Sequence, residues 1–147
     1  MKVLIRSAEL TDNYSIVRLS NEWGYSISED LSLARMHKLI SCTNYKMYVA
    51  EDTISQQICG WIILEKRFFF GSGDYIEIMG LVVDENYRRN KIAQQLIKQS
   101  ELWAADLGLD TIIVLSDIQR EESHRFYQSS GFELKKTSNV YHKQVKP

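Results

Sequence analysis

Leu81-Val82-Val83-Asp84-Glu85-Asn86-Tyr87-Arg88-Arg89-Asn90-Lys91-Ile92-Ala93 is where the period of the chain changes. Upstream, Tyr75–Val83 reads as a nearly continuous, otherwise apolar strand with Glu77 and Gly80 inside it. Downstream, Ile92, Leu96, Gln99/Ser100, Trp103 and Leu107 recur every three or four residues, and Gly108 stands where a helix would stop. The stretch therefore reads as strand, loop and helix, with Arg88, Arg89 and Lys91 in or just before the first helical turn. A helix N-terminus already carries partial positive charge and unpaired N–H groups, so cations there are unfavourable without a partner. A bound phosphate removes the conflict, because amides and side-chain cations then converge on its oxygens. A solvated basic turn offset by Asp84 and Glu85 fits the same residues.

Outward from this point, strands are predicted at Val3–Ser7, Tyr45–Glu51, Ile58–Phe70 and Thr111–Leu115. Gly71-Ser72-Gly73-Asp74 is a turn. Helical patterns run from Thr11-Asp12 through Ile16, Leu19 and Trp23, and from Ser28 to Ile40 with Leu31, Leu33, Met36, Leu39 and Ile40 as the apolar set. Glu121–Ser130 is a further helix ending at Gly131, and Phe132–Thr137 with Asn139–Val145 is expected to form a closing pair of strands. The order β-α-α-β-β-β-α-β-α-β-β defines a mixed α/β domain. At 147 residues, 44% apolar and 25% charged, the chain is expected to be one domain, residues 1–147. A net charge of −1 gives no broad electrostatic case for nucleic acid or an acidic membrane. Cys42 and Cys59 stand apart, signal no metal site, and read as reduced thiols of a cytoplasmic protein. The N-terminus lacks a signal-peptide pattern and no apolar run approaches the ~20 residues of a membrane span.

Arg88-Arg89-Asn90-Lys91-Ile92-Ala93 resembles the Arg/Gln-x-x-Gly-x-Gly/Ala turn of the GNAT N-acetyltransferases, whose amides hold the pyrophosphate of CoA. It matches at Arg88 and Ala93 and departs at Lys91, where the family has glycine. Glu121-Glu122-Ser123-His124-Arg125-Phe126-Tyr127-Gln128-Ser129-Ser130-Gly131-Phe132 is similar to the second family signature, a helix carrying Phe-Tyr with Gly-Phe four residues on. The asparagine that often precedes this tyrosine by seven residues is Arg120 here, and its role is not carried across. The resemblance covers about residues 75–143, and the N-terminal half fits in element order only.

The resemblance implies acetyl transfer from acetyl-CoA to a primary amine in a ternary complex. Backbone groups of Leu81, Val82 and Val83 would hold the pantetheine arm between splayed fourth and fifth strands. Arg88, Arg89, Asn90, Lys91, Ile92, Ala93 and Gln94 would hold the pyrophosphate. Gly80 is consistent with a bulge in the fourth strand. Tyr127 matches the general acid that protonates the leaving thiolate; outside the motif it reads as one packed tyrosine among eight. Glu77 matches a glutamate that some family branches use as base; an exposed strand residue with a surface partner is the other reading. Trp23, Tyr25, Glu22, Glu29 and Asp30 fall where the family lines its acceptor site, and an aromatic and acidic wall would suit a cationic amine. Polyamines, amino acids, aminoglycosides and protein amines all remain open as acceptors. His124 reads as a surface residue. Tyr141 and Val145 on a closing edge strand suggest a homodimer. The rival is an acyl-CoA-binding module of the same fold without turnover, which Lys91 and Arg120 leave room for. A nucleotide-binding α/β protein is excluded by the lack of GxxxxGK[ST] and GxGxxG.

Overall fold

The computed structural model describes residues 2–88 and 91–146, in two compact units, Met1–Leu115 and Ser116–Pro147. The first holds β1 (Val3–Ser7), α1 (Asn13–Glu22), α2 (Glu29–Ser41), β2 (Tyr45–Asp52), β3 (Ile58–Phe69), β4 (Gly73–Val83), α3 (Ile92–Asp106) and β5 (Ile112–Val114). The sheet runs β1-β2-β3-β4-β5; the first four strands are antiparallel neighbours and β5 lies parallel to β4.

Alternation along the strands sorts the sheet into two faces. Met47, Val49, Trp61 and Val82 turn toward α1 and α2, where they form one apolar cluster with Ile16, Leu19 and Met36. Ile62, Leu64, Ile76 and Ile78 are buried on the opposite face, the side on which α3 packs against β3 and β4. α3 buries Ile92, Leu96, Ile97, Ser100, Trp103 and Ala104, which is a single stripe at helical spacing. α2 differs from its predicted apolar set. Ser32 and Met36 face inward while Leu31 and Ile40 are exposed, so the buried stripe lies one residue round from the expected one. Ser28 caps α2 by accepting from the Leu31 amide at 3.1 Å, and Glu29 and Asp30 occupy its first turn, where carboxylates oppose the helix dipole favourably.

The second unit holds α4 (Glu121–Ser129). Its end explains the Phe-Tyr…Gly-Phe spacing. Gly131 adopts φ +94, its N–H reaches the Gln128 carbonyl at 3.2 Å, and the Phe132 N–H reaches the Tyr127 carbonyl at 3.0 Å. That is a Schellman stop, and the Phe132 ring accordingly packs edge-on against Tyr127 with centroids 5.6 Å apart. The two closing strands predicted at Phe132–Thr137 and Asn139–Val145 are not formed; residues 132–146 carry no helix or strand. A strand needs a neighbouring ladder for its N–H and C=O groups, and α4, the one regular element of this unit, offers none.

The packing of α3 sets a stability test. Leu96 is fully buried, so Leu96→Ala should cost about 2–5 kcal/mol. Ile54, 79% exposed, should tolerate the same truncation within about 0.5 kcal/mol. Urea unfolding midpoints at equal m-value read both.

Candidate active site

The site is built along β4. Register places Gly80 opposite Ile63 and Ile78 opposite Leu64, so Met79 is an extra residue, a β-bulge beside the glycine. A Cβ on Gly80 would stand 2.7 Å from Trp61 Cζ3 and 3.3 Å from the Tyr25 hydroxyl, so the glycine admits both rings against the strand. The bulge also changes which way backbone groups point. Before it, the Ile76 N–H donates to Thr111 at 3.1 Å, toward β5. After it, the Asp84 N–H donates to Cys59 at 2.9 Å, toward β3. Hydrogen-bonded and non-bonded pairs alternate in an antiparallel ladder, so Val82 also faces β3 while Leu81 and Val83 face the other edge. The β5 ladder stops at Ile78, opposite Val114. Leu81 and Val83 thus present N–H and C=O groups to an edge with no strand along it among the described residues. Val82 is placed differently: its backbone faces β3 and its side chain is in the core.

The turn after β4 is tied down from three sides. Asp84, buried, accepts from the Asn86 N–H at 2.9 Å and from Arg18 of α1 at 3.3 Å, and Arg18 also reaches Glu22 at 3.1 Å. The Tyr87 hydroxyl lies 3.1 Å from both Asp52 and Gln57 of the β2–β3 hairpin. Asp52 is held below the usual carboxylate range, chiefly by the Ile54 N–H and also by Tyr87, against partial desolvation. Trp23, at the end of α1, donates its indole N–H to the Val83 carbonyl at 2.9 Å, and the Arg88 guanidinium lies over its ring, 5.2 Å from the centroid. Arg88 also pairs with Glu85 at 3.7 Å.

α3 opens at Ile92, so Arg88 lies in the turn just before the helix and Lys91 at its start. Lys91 is the N-cap, with φ 58 and ψ 28, and makes no side-chain cap bond. This left-handed conformation is the one glycine adopts without steric cost, and a side chain there is strained. The Gln95 N–H closes the first helical bond on the Lys91 carbonyl at 3.1 Å. The amides of Ile92, Ala93 and Gln94 precede it and have no intrahelical acceptor. Arg89 and Asn90, expected at this site, lie outside the described residues.

Glu77 is 7% exposed on the α1/α2 face, three residues before Gly80. Its cross-strand neighbour is Glu65, and Arg67 reaches Glu77 at 3.7 Å and Glu65 at 3.3 Å. Burial raises the Glu77 pKa above the usual carboxylate value; Arg67 opposes this and the Glu65 charge adds to it. The open-strand reading of Glu77 does not hold, because the residue is enclosed. Tyr25 packs edge-on against Trp61 at 5.8 Å. Glu22 is engaged by Arg18, while Glu29 and Asp30 serve the start of α2. In the second unit, Tyr127 packs against both Phe126 and Phe132, and His124 Nε2 of α4 is 2.9 Å from the Asp117 carbonyl in the loop before the helix. Sequence reasoning missed Arg18, Asp52, Trp61, Glu65 and Arg67, whose partners lie far along the chain or on a neighbouring strand.

This combination of mixed sheet, bulged fourth strand, open edge and basic turn defines an acyltransferase scaffold. The acetyltransferase (GNAT) family model matches residues 11–132, across both units, and the chain belongs to that family. The N-acetyltransferase YhdJ of Bacillus subtilis (strain 168) is 25% identical over 147 residues, covering 99% of this chain and 98% of its own. An aminoglycoside N(6')-acetyltransferase type 1 of Acinetobacter baumannii is 26% identical over 108 residues, covering 71% of this chain and 73% of its own. Among solved structures, AAC(6')-Iy in complex with a bisubstrate analog, CoA-S-monomethyl-acetylneamine, superposes with TM-score 0.87 at 18% identity, over 99% of this chain and all of that one.

Lys91→Gly relieves the left-handed strain, and the folded state should gain up to about 1 kcal/mol. The same change removes a cation, so the dissociation constant for acetyl-CoA should move by less than about tenfold, or roughly 1.4 kcal/mol. Denaturant titration and calorimetric binding check the two effects separately.

Proposed function

We propose that the chain acetylates the primary amine of a small cationic acceptor, of the aminosugar or polyamine kind, by direct attack on acetyl-CoA in a ternary complex. The observation that carries this reading is the open β4 edge ending at a basic turn. Leu81 and Val83 offer strand-type hydrogen bonds to the amide-containing pantetheine arm. Arg88, Lys91 and the amides of Ile92, Ala93 and Gln94, which have no intrahelical acceptor, suit its pyrophosphate, and Arg89 and Asn90 are assigned to the same role from the sequence alone. Val82 supports the edge from the core side. Acetyl-CoA supplies an activated thioester; everything else falls to the protein. An N–H of the open edge polarises the thioester carbonyl as negative charge develops. Glu77 takes a proton from the acceptor ammonium, through water, so that the neutral amine attacks the thioester, and Tyr127 protonates the departing thiolate. In this reading residues 1–147 are a single N-acetyltransferase domain, in the cytoplasm.

The acidic pair Glu65 and Glu77, the Tyr25 ring and the aminoglycoside-modifying relatives support a cationic acceptor. Thermal stabilisation across an amine library with CoA present, followed by CoA-release assays, tests it. Binding of acetyl-CoA with no turnover on any amine would favour the non-catalytic module.

Tyr127→Phe keeps the aromatic body and should preserve cofactor binding while turnover falls about 10²-fold. Glu77→Gln should be worst at low pH and partly rescued as pH rises, because the acceptor then arrives neutral. In the wild type, the base form of Glu77 is lost as pH falls through its raised pKa. The acid limb of kcat/KM should therefore lie above the ordinary ~4.3 of glutamate. pH–rate profiles of the three proteins separate acid from base, and a flat Glu77→Gln deficit would make the glutamate a substrate-positioning group.

A homodimer completes the reading. Val140 and Tyr141 are 91% and 90% exposed in a segment without a ladder partner in its own unit. Light scattering should give twice the monomer mass, and a concentration-independent monomer would remove this part.

A further inference from the structure

Trp23 touches the proposed donor site at two places, one at each end of the turn that follows β4. Its indole N–H holds the Val83 carbonyl at 2.9 Å, on the edge of β4 that faces away from β3. β5 closes that same edge as far as Ile78, so the open window runs from the bulge to Val83, with Trp23 at its far end. Its ring, meanwhile, carries the Arg88 guanidinium at 5.2 Å. A cation held over a ring face spends no N–H donor on that contact, so the donors of Arg88 stay available to an anion, and among the described residues Glu85 reaches one of its nitrogens, Nη2, at 3.7 Å. Trp23 is partly buried, packs against the α1/α2 core cluster, and is followed at once by the α1–α2 loop that carries Tyr25 to Gly80.

We propose that Trp23 is a positioning residue for the acyl donor: it sets the end of the pantetheine window and orients Arg88 toward the pyrophosphate, so that the loop bearing Tyr25 and the phosphate turn move as one piece. This deepens the acetyl-CoA reading and rests on it. Trp23 touches no reacting atom and acts through Arg88 and Val83.

The test is a double-mutant cycle on acetyl-CoA affinity, measured by calorimetry without any acceptor, on variants shown by circular dichroism to be folded. Trp23→Leu removes ring and N–H and should weaken binding about fivefold. Trp23→Phe keeps a ring under Arg88 and should recover most of that loss, to within about twofold of wild type. Arg88→Ala should weaken binding, and the Trp23→Leu/Arg88→Ala double variant should bind within about twofold of Arg88→Ala alone, the signature of one residue acting through the other. If Trp23→Leu does not fold, Trp23→Met takes its place in the cycle. Multiplicative losses in the double variant, or wild-type affinity in Trp23→Leu, would overturn the role of Trp23 while leaving the donor assignment intact. A wild-type protein that gives no binding heat with acetyl-CoA would overturn both.

Discussion

A strand in a sheet has two rows of hydrogen-bonding groups, and both rows need partners. β4 meets this with β3 along its whole length and with β5 only from Ile76 to Ile78. The extra residue at Met79 turns the strand so that Leu81 and Val83 look away from β3 at the point where β5 has ended. The result is an edge inside the sheet rather than at its border. Ordinary edge strands are blunted against other chains, but this one is flanked by β5 below and Trp23 above. A narrow row of amide groups is what a ligand with its own amides, such as pantetheine, can complete as though it were a strand.

The basic turn depends on that strand in a second way. Cations beside a helix N-terminus repel the helix dipole and one another, so the turn needs fixing by groups other than its own charges. The fixing comes from three partners on two elements, α1 with its C-cap and β2: Asp84 with Arg18, Tyr87 with Asp52, and Val83 with Trp23. Lys91 adds local strain at the helix cap. Strain of about 1–3 kcal/mol at a residue of this kind persists only where surrounding contacts over-determine the backbone.

The period change at Arg88 and the glycine after α4 made the core of the fold legible, because both are local: helical spacing and a left-handed stop are written in adjacent residues. Lys91 was legible as a departure, and its left-handed φ gives the reason glycine suits the place. The clamps were not legible. Arg18 and Asp84 are 66 residues apart and Trp23 and Val83 are 60 apart, and nothing in either segment marks the other. Helix α2 was displaced by one residue on its face because Leu31 and Ile40 look as apolar as Met36, and only packing against β2 chooses between them. The closing strands failed for a related reason. Phe132, Leu134, Val140 and Val145 have strand-like side chains, but strand formation is decided by a neighbour, not by the segment itself.

Glu77 shows how one buried carboxylate acquires a role from opposing influences. Loss of water favours its neutral form, the Arg67 guanidinium favours its charged form, and the Glu65 carboxylate opposite opposes a second negative charge. Arg67 divides its attention, lying nearer Glu65 than Glu77, so desolvation prevails and the pKa rises. A carboxylate fully stabilised by an ion pair would be a poor proton acceptor, and one with no cation near it would stay protonated in so enclosed a place. Sharing a single arginine between two glutamates leaves Glu77 between these limits. The same pair, with one arginine between two carboxylates, keeps net negative charge on the face that carries Tyr25 and Trp61, which suits the cationic acceptor proposed above.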